Sequence, residues 1–177
     1  MALDFELRPA RGDDALCLAV LAQQVYLDTY ATEGIRPAVA RDILAQFSQP
    51  VFEQLTQRAD VMLEVAERQG HLIGFAQTHA DASHPLAPAG RQAELFRLYV
   101  QEPFTARGVG SALLHSAEHG AAARGHQVIW LTPWEHNHRA LAFYARRGYA
   151  DFGQTDHLIE GERFGNRVMA KGLLPGP

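Results

Sequence analysis

The stretch from Leu95 to Leu114, LFRLYVQEPFTARGVGSALL, constrains this chain more than any other. Its first part reads as a buried strand, its middle as a tight Arg/Gly turn and its end as the first turn of an amphipathic helix. A strand that runs through glycines into a helix start leaves several backbone N–H groups outside the helical ladder and aimed at one spot. The helix dipole adds partial positive charge at the same place. A phosphate is the ligand such a corner attracts. Two nucleotide readings fail on spacing. A dinucleotide fingerprint follows a first strand and needs a third glycine where Leu113 stands, and a Walker loop needs Gly-Lys-Ser/Thr, which is missing.

The rest of the chain supplies alternating strand and helix signals around this stretch. Leu3–Arg8 alternates and stops at Pro9, as an edge strand does. Gly12 and Asp13 open a helix reaching about Tyr30, with Leu16, Val20, Leu21, Val25 and Leu27 at helical spacing, before Gly34 and Pro37. Helices follow over about Ala38–Phe47 and Pro50–Arg58. Val61–Glu67 and Leu72–His79 read as a hairpin turning at Arg68–His71, with Gly70 where a positive φ is needed. Asp81–Gln92, rich in Pro, Ala and Ser, reads as an exposed loop. Beyond the glycine turn a helix runs over Gly108–Arg124 with Val109, Ala112, Leu113 and Ala117 on one face. A strand at Gln127–Thr132, a helix at Asn137–Arg147 and strands at Tyr149–His157 and Arg163–Gly172 complete a mixed α/β order, with hairpins first and βαβ units in the middle.

Length and charge narrow the class. The 177 residues suit a single domain, residues 1–177, and 47% hydrophobic with 20% charged content argues against disorder. A net charge of −4 offers no bulk attraction to nucleic acid or to an anionic membrane and suits a cationic or neutral substrate better. The N-terminus lacks a basic segment followed by an apolar one, and no apolar run approaches the roughly 20 residues a bilayer requires. A soluble, cytoplasmic protein is expected. Cys17, the lone cysteine, lies in an apolar helical run and is expected to be a small core residue. Of the nine histidines, His115/His119 and His136/His138 are closely spaced but lack a Glu, Cys or Asp ligand set, so no metal is expected.

One βα unit after the glycine turn, Asn137-His138-Arg139-Ala140-Leu141-Ala142-Phe143-Tyr144 opens a second helix, and adjacent parallel strands would place both helix starts on one sheet edge. Read blandly, Asn137 is an N-cap and Tyr144 a half-buried aromatic. Together, however, Leu98-Tyr99-Val100, Arg107-Gly108-Val109-Gly110-Ser111-Ala112-Leu113-Leu114 and Asn137…Ala140…Phe143-Tyr144…Gly148-Tyr149 resemble the GCN5-related N-acetyltransferase (GNAT) family. Within it, Trp130–Asn137, Asn166–Lys171 and Tyr26–Tyr30 are most similar to the PaiA-type spermine/spermidine acetyltransferases. The resemblance implies a central twisted mixed sheet of about six to seven strands flanked by about four helices and splayed between the fourth and fifth strands.

It also implies acetyl-CoA as cosubstrate, its pyrophosphate held by Arg107, Gly108, Val109, Gly110 and Ser111, with Leu98, Tyr99, Val100, Asn137 and Tyr144 as further contacts. Thr105 stands where the family pattern has Gln or Arg, a departure that removes a side-chain contact. Amine attack on a thioester builds negative charge on the carbonyl oxygen and then on sulfur. A backbone N–H near Val100 would stabilise the first, and Tyr144 would protonate the second. Glu94, near the start of the central strand, is the candidate base, weighed evenly against a solvated edge carboxylate. Asp28, Glu33, Glu135 and Glu160 are candidates for a cationic-substrate site, with plain surface charge the commoner reading. The expected partner is a small-molecule amine, and the resemblance raises a homodimer as an assembly state. Two rivals remain at this point: a protein N-terminal or lysine acetyltransferase, and a non-catalytic acyl-CoA-binding sensor.

Overall fold

The computed structural model of the chain describes residues 4–159 and 162–173. Leu3 and Glu160, both named above, lie outside them. The elements run β1 (Glu6–Pro9), α1 (Ala15–Tyr30), α2 (Pro37–Gln46), α3 (Gln49–Gln57), β2 (Val61–Arg68), β3 (His71–Ala80), β4 (Gln92–Val100), α4 (Val109–Ala123), β5 (Val128–Leu131), α5 (His138–Ala145), β6 (Ala150–Ile159) and β7 (Glu162–Gly172). Short 3-10 turns occupy Gly12–Asp14 and Glu102–Phe104. The order is the one read from the sequence. The strands form one sheet ordered β1-β2-β3-β4-β5-β7-β6. It is mixed: β4 and β5 are parallel, whereas β1–β2, β5–β7 and β6–β7 are antiparallel. Parallel pairing runs from Gln92–Val128 to Glu94–Trp130. Because β5 stops at Leu131, β4 continues to Val100 past its end, which is the splay expected between the fourth and fifth strands.

The chain divides into two compact units, one built from residues up to Thr78 with Arg97–Ala117 and the other from His79–Phe96 with Glu118 onward. In the first, Leu18, Ile43, Phe47, Phe52, Val65 and Phe75 form the heart of the core. Phe52 and Phe75 meet edge to face at 5.8 Å. The entry into α1 is fixed by Asp14. Its carboxylate accepts two hydrogen bonds from Arg8, at 2.7 and 2.8 Å, and one from the Arg11 N–H at 2.7 Å, while Arg8 also donates to Glu67. The hairpin turn carries φ +51 at Gln69 and +78 at Gly70, so both residues take the left-handed conformation foreseen for the glycine.

One expectation fails in α1. Its buried face is Ala15, Leu18, Ala19, Leu21 and Ala22, and the exposed side carries Leu16, Cys17 and Val20. Cys17 is therefore a surface thiol and not a core residue. The helix is apolar nearly all round, so its sequence does not mark which side packs. The small Ala15, Ala19 and Ala22 allow close approach, and that decides the buried side.

In the second unit β5 is buried throughout, and Val128 and Trp130 pack with Ala87 and Ala170. The indole of Trp130 donates to the Ala82 carbonyl at 2.8 Å. Buried His126 lies 3.0 Å from the Ala121 carbonyl through Nδ1, and its Nε2 accepts from the Asp81 N–H at 3.2 Å. A carbonyl only accepts, so the proton sits on Nδ1. Asp81 is also clamped by Arg91, at 2.6 and 3.0 Å. The loop between β3 and β4 is thus tied at both ends, although its composition reads only as loop.

Candidate active site

The β4–α4 corner lies in the first unit. After Val100 the chain makes the 3-10 turn Glu102–Phe104, then passes through two left-handed residues, Ala106 at φ +57 and Gly108 at φ +91. The helical ladder of α4 begins with Ala112 N–H donating to the Gly108 carbonyl at 2.9 Å. The N–H groups of Val109 and Gly110 therefore precede the ladder at the positive end of the helix dipole. A Cβ built on Gly108 would meet nothing within 4 Å, so open space lies before the turn. The corner thus has the features of an anion-binding helix start. Of the expected face, Val109, Leu113 and Ala117 are buried and Ala112 is half-buried, while Leu114 joins the core unforeseen.

Thr105 does not substitute for the family side chain as a donor toward this corner. Its hydroxyl donates to the Glu102 carbonyl at 2.9 Å and its N–H to the same oxygen at 3.1 Å, closing the 3-10 turn. Tyr99 is likewise committed. Its ring packs on Phe75 at 5.4 Å and on Phe47 at 6.4 Å, and burial pushes its phenol well above the usual range. At this position only the backbone is left for a cofactor; Leu98 and Val100 are half-buried on the other face of β4.

Gly74 on β3 is a position that the sequence reading missed. A Cβ there would lie 2.7 Å from the Tyr99 carbonyl, 3.2 Å from Val100 and 3.3 Å from Leu113. Its absence lets β3, β4 and α4 close together beneath the turn. A lone glycine inside a strand pattern was the available signal.

Asn137 and Tyr144 lie in the second unit. Asn137 caps α5, its Oδ1 accepting from the Ala140 N–H at 3.0 Å. The bland N-cap role is therefore real, and it uses one lone pair of Oδ1 and neither amide hydrogen. Tyr144 is buried, edge to face with Phe143 at 5.1 Å and with Tyr149 at 5.5 Å. Behind it the Tyr149 hydroxyl donates to Glu118 Oε1 at 3.0 Å, and Lys171 donates to the same carboxylate at 3.0 and 2.9 Å. Burial, then the Glu118 charge, drives the Tyr149 phenol far up, so it stays protonated beside Tyr144. Glu94, also in this unit, has its carboxylate 3.9 Å from His79 Nδ1 and largely shielded, and His79 stacks on Phe96 at 4.8 Å. The solvated-edge reading of Glu94 therefore does not describe its surroundings.

Of the acidic residues named for a cationic substrate, Asp28 and Glu33 are exposed, and Glu135 accepts from Gln154 at 3.3 Å. The sequence reading overlooked a polar cluster in the first unit. Arg97 is buried on the inward face of β4 and donates to Gln77 Oε1 at 2.7 Å and to Gln46 Oε1 at 2.9 Å. Its guanidinium lies 4.8 Å over the Phe47 ring. Gln46 passes the contact on to Asp42 Oδ1 at 2.8 Å, and the Tyr26 hydroxyl donates to Asp42 Oδ2 at 3.3 Å. Strand alternation could have exposed it, because Arg97 shares a face with Ala93, Leu95 and Tyr99. Among the described residues no three His, Cys, Asp or Glu side chains group as metal ligands, and no helix is long and apolar enough to cross a membrane.

The model of the Acetyltransferase (GNAT) family matches residues 29–149. The chain belongs to the GNAT acetyltransferase family. An uncharacterized N-acetyltransferase from Lactobacillus delbrueckii subsp. lactis is 29% identical over 105 residues, 59% of this chain and 61% of that protein. The chain thus spans under two thirds of that relative's length. An uncharacterized N-acetyltransferase from Mycobacterium tuberculosis is 28% identical over 144 residues, covering 78% of this chain and 87% of that one. Among solved structures, the PaiA N-acetyltransferase from Thermoplasma acidophilum, crystallised with coenzyme A, has the same fold at a TM-score of 0.75. It is 22% identical and covers 96% of this chain and 99% of its own.

Proposed function

We propose that this GNAT member is a single acetyltransferase domain spanning residues 1–177. It transfers the acetyl group of acetyl-CoA to a primary amine of a small molecule, a polyamine being the favoured acceptor. The observation that carries the cofactor assignment is the β4–α4 corner: left-handed Ala106 and Gly108, N–H groups ahead of the α4 ladder, and open space before them. Arg107 to Ser111 hold the pyrophosphate. Bound acetyl-CoA supplies an acyl group already activated as a thioester. Leu98 and Val100, with the backbone at Tyr99, line its path, and an N–H near Val100 stabilises the oxyanion. Asn137 orders the pantetheine arm through its amide nitrogen.

Glu94 accepts the proton that the ammonium must lose before it attacks, with His79 Nδ1 3.9 Å from its carboxylate. Tyr144 donates its phenolic proton to the departing sulfur. Its neighbour Tyr149, tied to Glu118 and Lys171, keeps the Tyr144 ring in one orientation. The PaiA reading draws on the sequence likeness of Tyr26–Tyr30, Trp130–Asn137 and Asn166–Lys171 and on the common fold. A cytoplasmic location and a homodimeric assembly are the proposed compartment and state.

Thiol release from acetyl-CoA with a panel of amines, spermidine, spermine and peptides tests this reading. Small amines should react and peptides should not. Tyr144→Phe should lower kcat by about one to two orders of magnitude with little change in the KM for acetyl-CoA. An unaltered kcat removes Tyr144 from the acid role. Binding of acetyl-CoA without turnover on any acceptor identifies a sensor instead.

A further inference from the structure

Beside Glu94 stands a histidine to which the sequence reading gave no role. His79, near the end of β3, has its Nδ1 3.9 Å from Glu94 Oε2, and 21% of the His79 side chain and 16% of the Glu94 side chain are exposed. The imidazole lies nearly flat on the Phe96 ring of β4, 4.8 Å between centroids and 18° between planes. An aromatic face on one side restrains the imidazole and favours its protonated form. All three residues belong to the second unit. A separation of 3.9 Å exceeds an ordinary hydrogen bond, but a small side-chain rotation or one water closes it. Charges close by in the chain have partners of their own. Asp81, two residues past His79, is clamped by Arg91 and lies against His126. Arg97, next to Phe96 in sequence, donates to Gln77 and Gln46. Opposite Glu94 on β5 stands Trp130, whose uncharged indole donates to the Ala82 carbonyl.

Amine acetylation needs a neighbour of this kind. The nitrogen of an ammonium gives up two protons on becoming an amide; one ends on the CoA sulfur and the other in solvent. An ordinary alkylammonium holds its proton about six pH units more tightly than an ordinary glutamate, so Glu94 by itself is a weak acceptor. An imidazole shortens that climb by about two units. It can also take a proton at one ring nitrogen and release another from the second.

We propose that His79 is a positioning residue that acts through Glu94, placed to take over the proton bound for solvent. An N–H bond of the ammonium breaks as an O–H bond forms on Glu94. That O–H bond breaks as His79 Nδ1 is protonated, and Nε2 gives its own proton to water. The freed nitrogen pair forms the bond to the acetyl carbon, the C–S bond breaks, and the second nitrogen proton makes good the one that Tyr144 gives to sulfur. The inference deepens, and rests on, the amine-acetyltransfer reading above with Glu94 as base.

The pH dependence of kcat tests it in the full chain, at saturating acetyl-CoA with the fastest amine of the panel above and on the acid side of that amine's own titration. Wild-type kcat should fall toward acid with a midpoint at about pH 6.5–7, the imidazole range. His79→Gln should lower kcat about tenfold or more and move that midpoint to about pH 4–5, the carboxylate range, with the KM for acetyl-CoA within about twofold. A wild-type midpoint already in the carboxylate range overturns the proposal. So does a His79→Gln enzyme whose midpoint stays in the imidazole range, even with kcat reduced, because a lost structural contact would do the same. A second readout needs no turnover. In ring-nitrogen NMR of the full chain, the His79 signal is identified by its loss in His79→Gln. Glu94→Gln should lower the His79 titration by about one pH unit, because an anion has left its side. If no amine is acetylated, the function reading fails separately and this titration decides: the downward shift supports the pair, and an unchanged titration refutes it.

Discussion

Arg97→Met tests whether the buried polar cluster holds the first unit together. Three of the contacts that disappear decide the balance. The Gln77 amide oxygen loses a donor at 2.7 Å in a residue only 1% exposed, where water cannot replace it. Leaving such an acceptor without its donor costs about 1–3 kcal/mol. Gln46 loses a donor at 2.9 Å, but it is half-buried and can turn to water at little cost. The stacking of the guanidinium on Phe47 at 4.8 Å contributes about 0.5–2 kcal/mol. Against these losses, methionine fills a similar volume and removes a cation from a largely buried position. The balance is a destabilisation of about 2 kcal/mol, or about 4–8 °C in Tm at this chain length. Urea unfolding followed by tryptophan fluorescence, with a thermal melt beside it, measures both. The decisive variant is Arg97→Met with Gln77→Leu. If the loss of this donor at the Gln77 oxygen is the main cost, the double variant regains about 1 kcal/mol over Arg97→Met, because both partners of that hydrogen bond have gone. A double variant less stable than Arg97→Met alone refutes the reasoning.

Gly74→Ala forces a methyl group to within 2.7 Å of the Tyr99 carbonyl and 3.3 Å of Leu113, so it should destabilise by about 1–3 kcal/mol; an unchanged urea midpoint would contradict the close approach. The Asp14 carboxyl is held below its ordinary range, chiefly by hydrogen bonds from Arg8 and then by the Arg11 N–H. A depressed folded-state value means that its stabilisation is complete above the unfolded value, about 3.9, and is lost as pH falls through the lower folded value. Asp14→Asn should therefore cost about 1.5–3 kcal/mol at pH 7, and the gap to wild type should close in strong acid. A gap that stays constant down to pH 2 would locate the effect elsewhere than in this carboxylate.

The boundaries and order of the elements were legible because each has a local cause. Gly70 demands a hairpin turn, Gly125 and Gly148 end helices at positive φ, and Gly108 opens one. The glycine corner between β4 and α4 was legible for the same reason, since its N–H groups belong to the backbone of one short stretch and need no distant partner. The candidate side chains were readable as positions but not as environments. The cap read for Asn137 is made on the Ala140 N–H, whereas Glu94 gained His79 as a neighbour from another strand, which its own stretch does not record.

The sequence by itself determined the alternation of strands and helices, the glycine turn between β4 and α4 and the family, because these reside in contiguous residues. Tertiary packing alone decided that α1 buries its alanines and exposes Leu16, Cys17 and Val20, and that Gly74 lies under the Tyr99 carbonyl. It also brought Asp42 from α2 beside Tyr26 on α1 and linked it through Gln46 to Arg97 on β4. Local pattern records what one stretch of backbone can do. Which side chains from distant stretches share a buried volume depends on how residue shapes fill the core, and no short window contains that information.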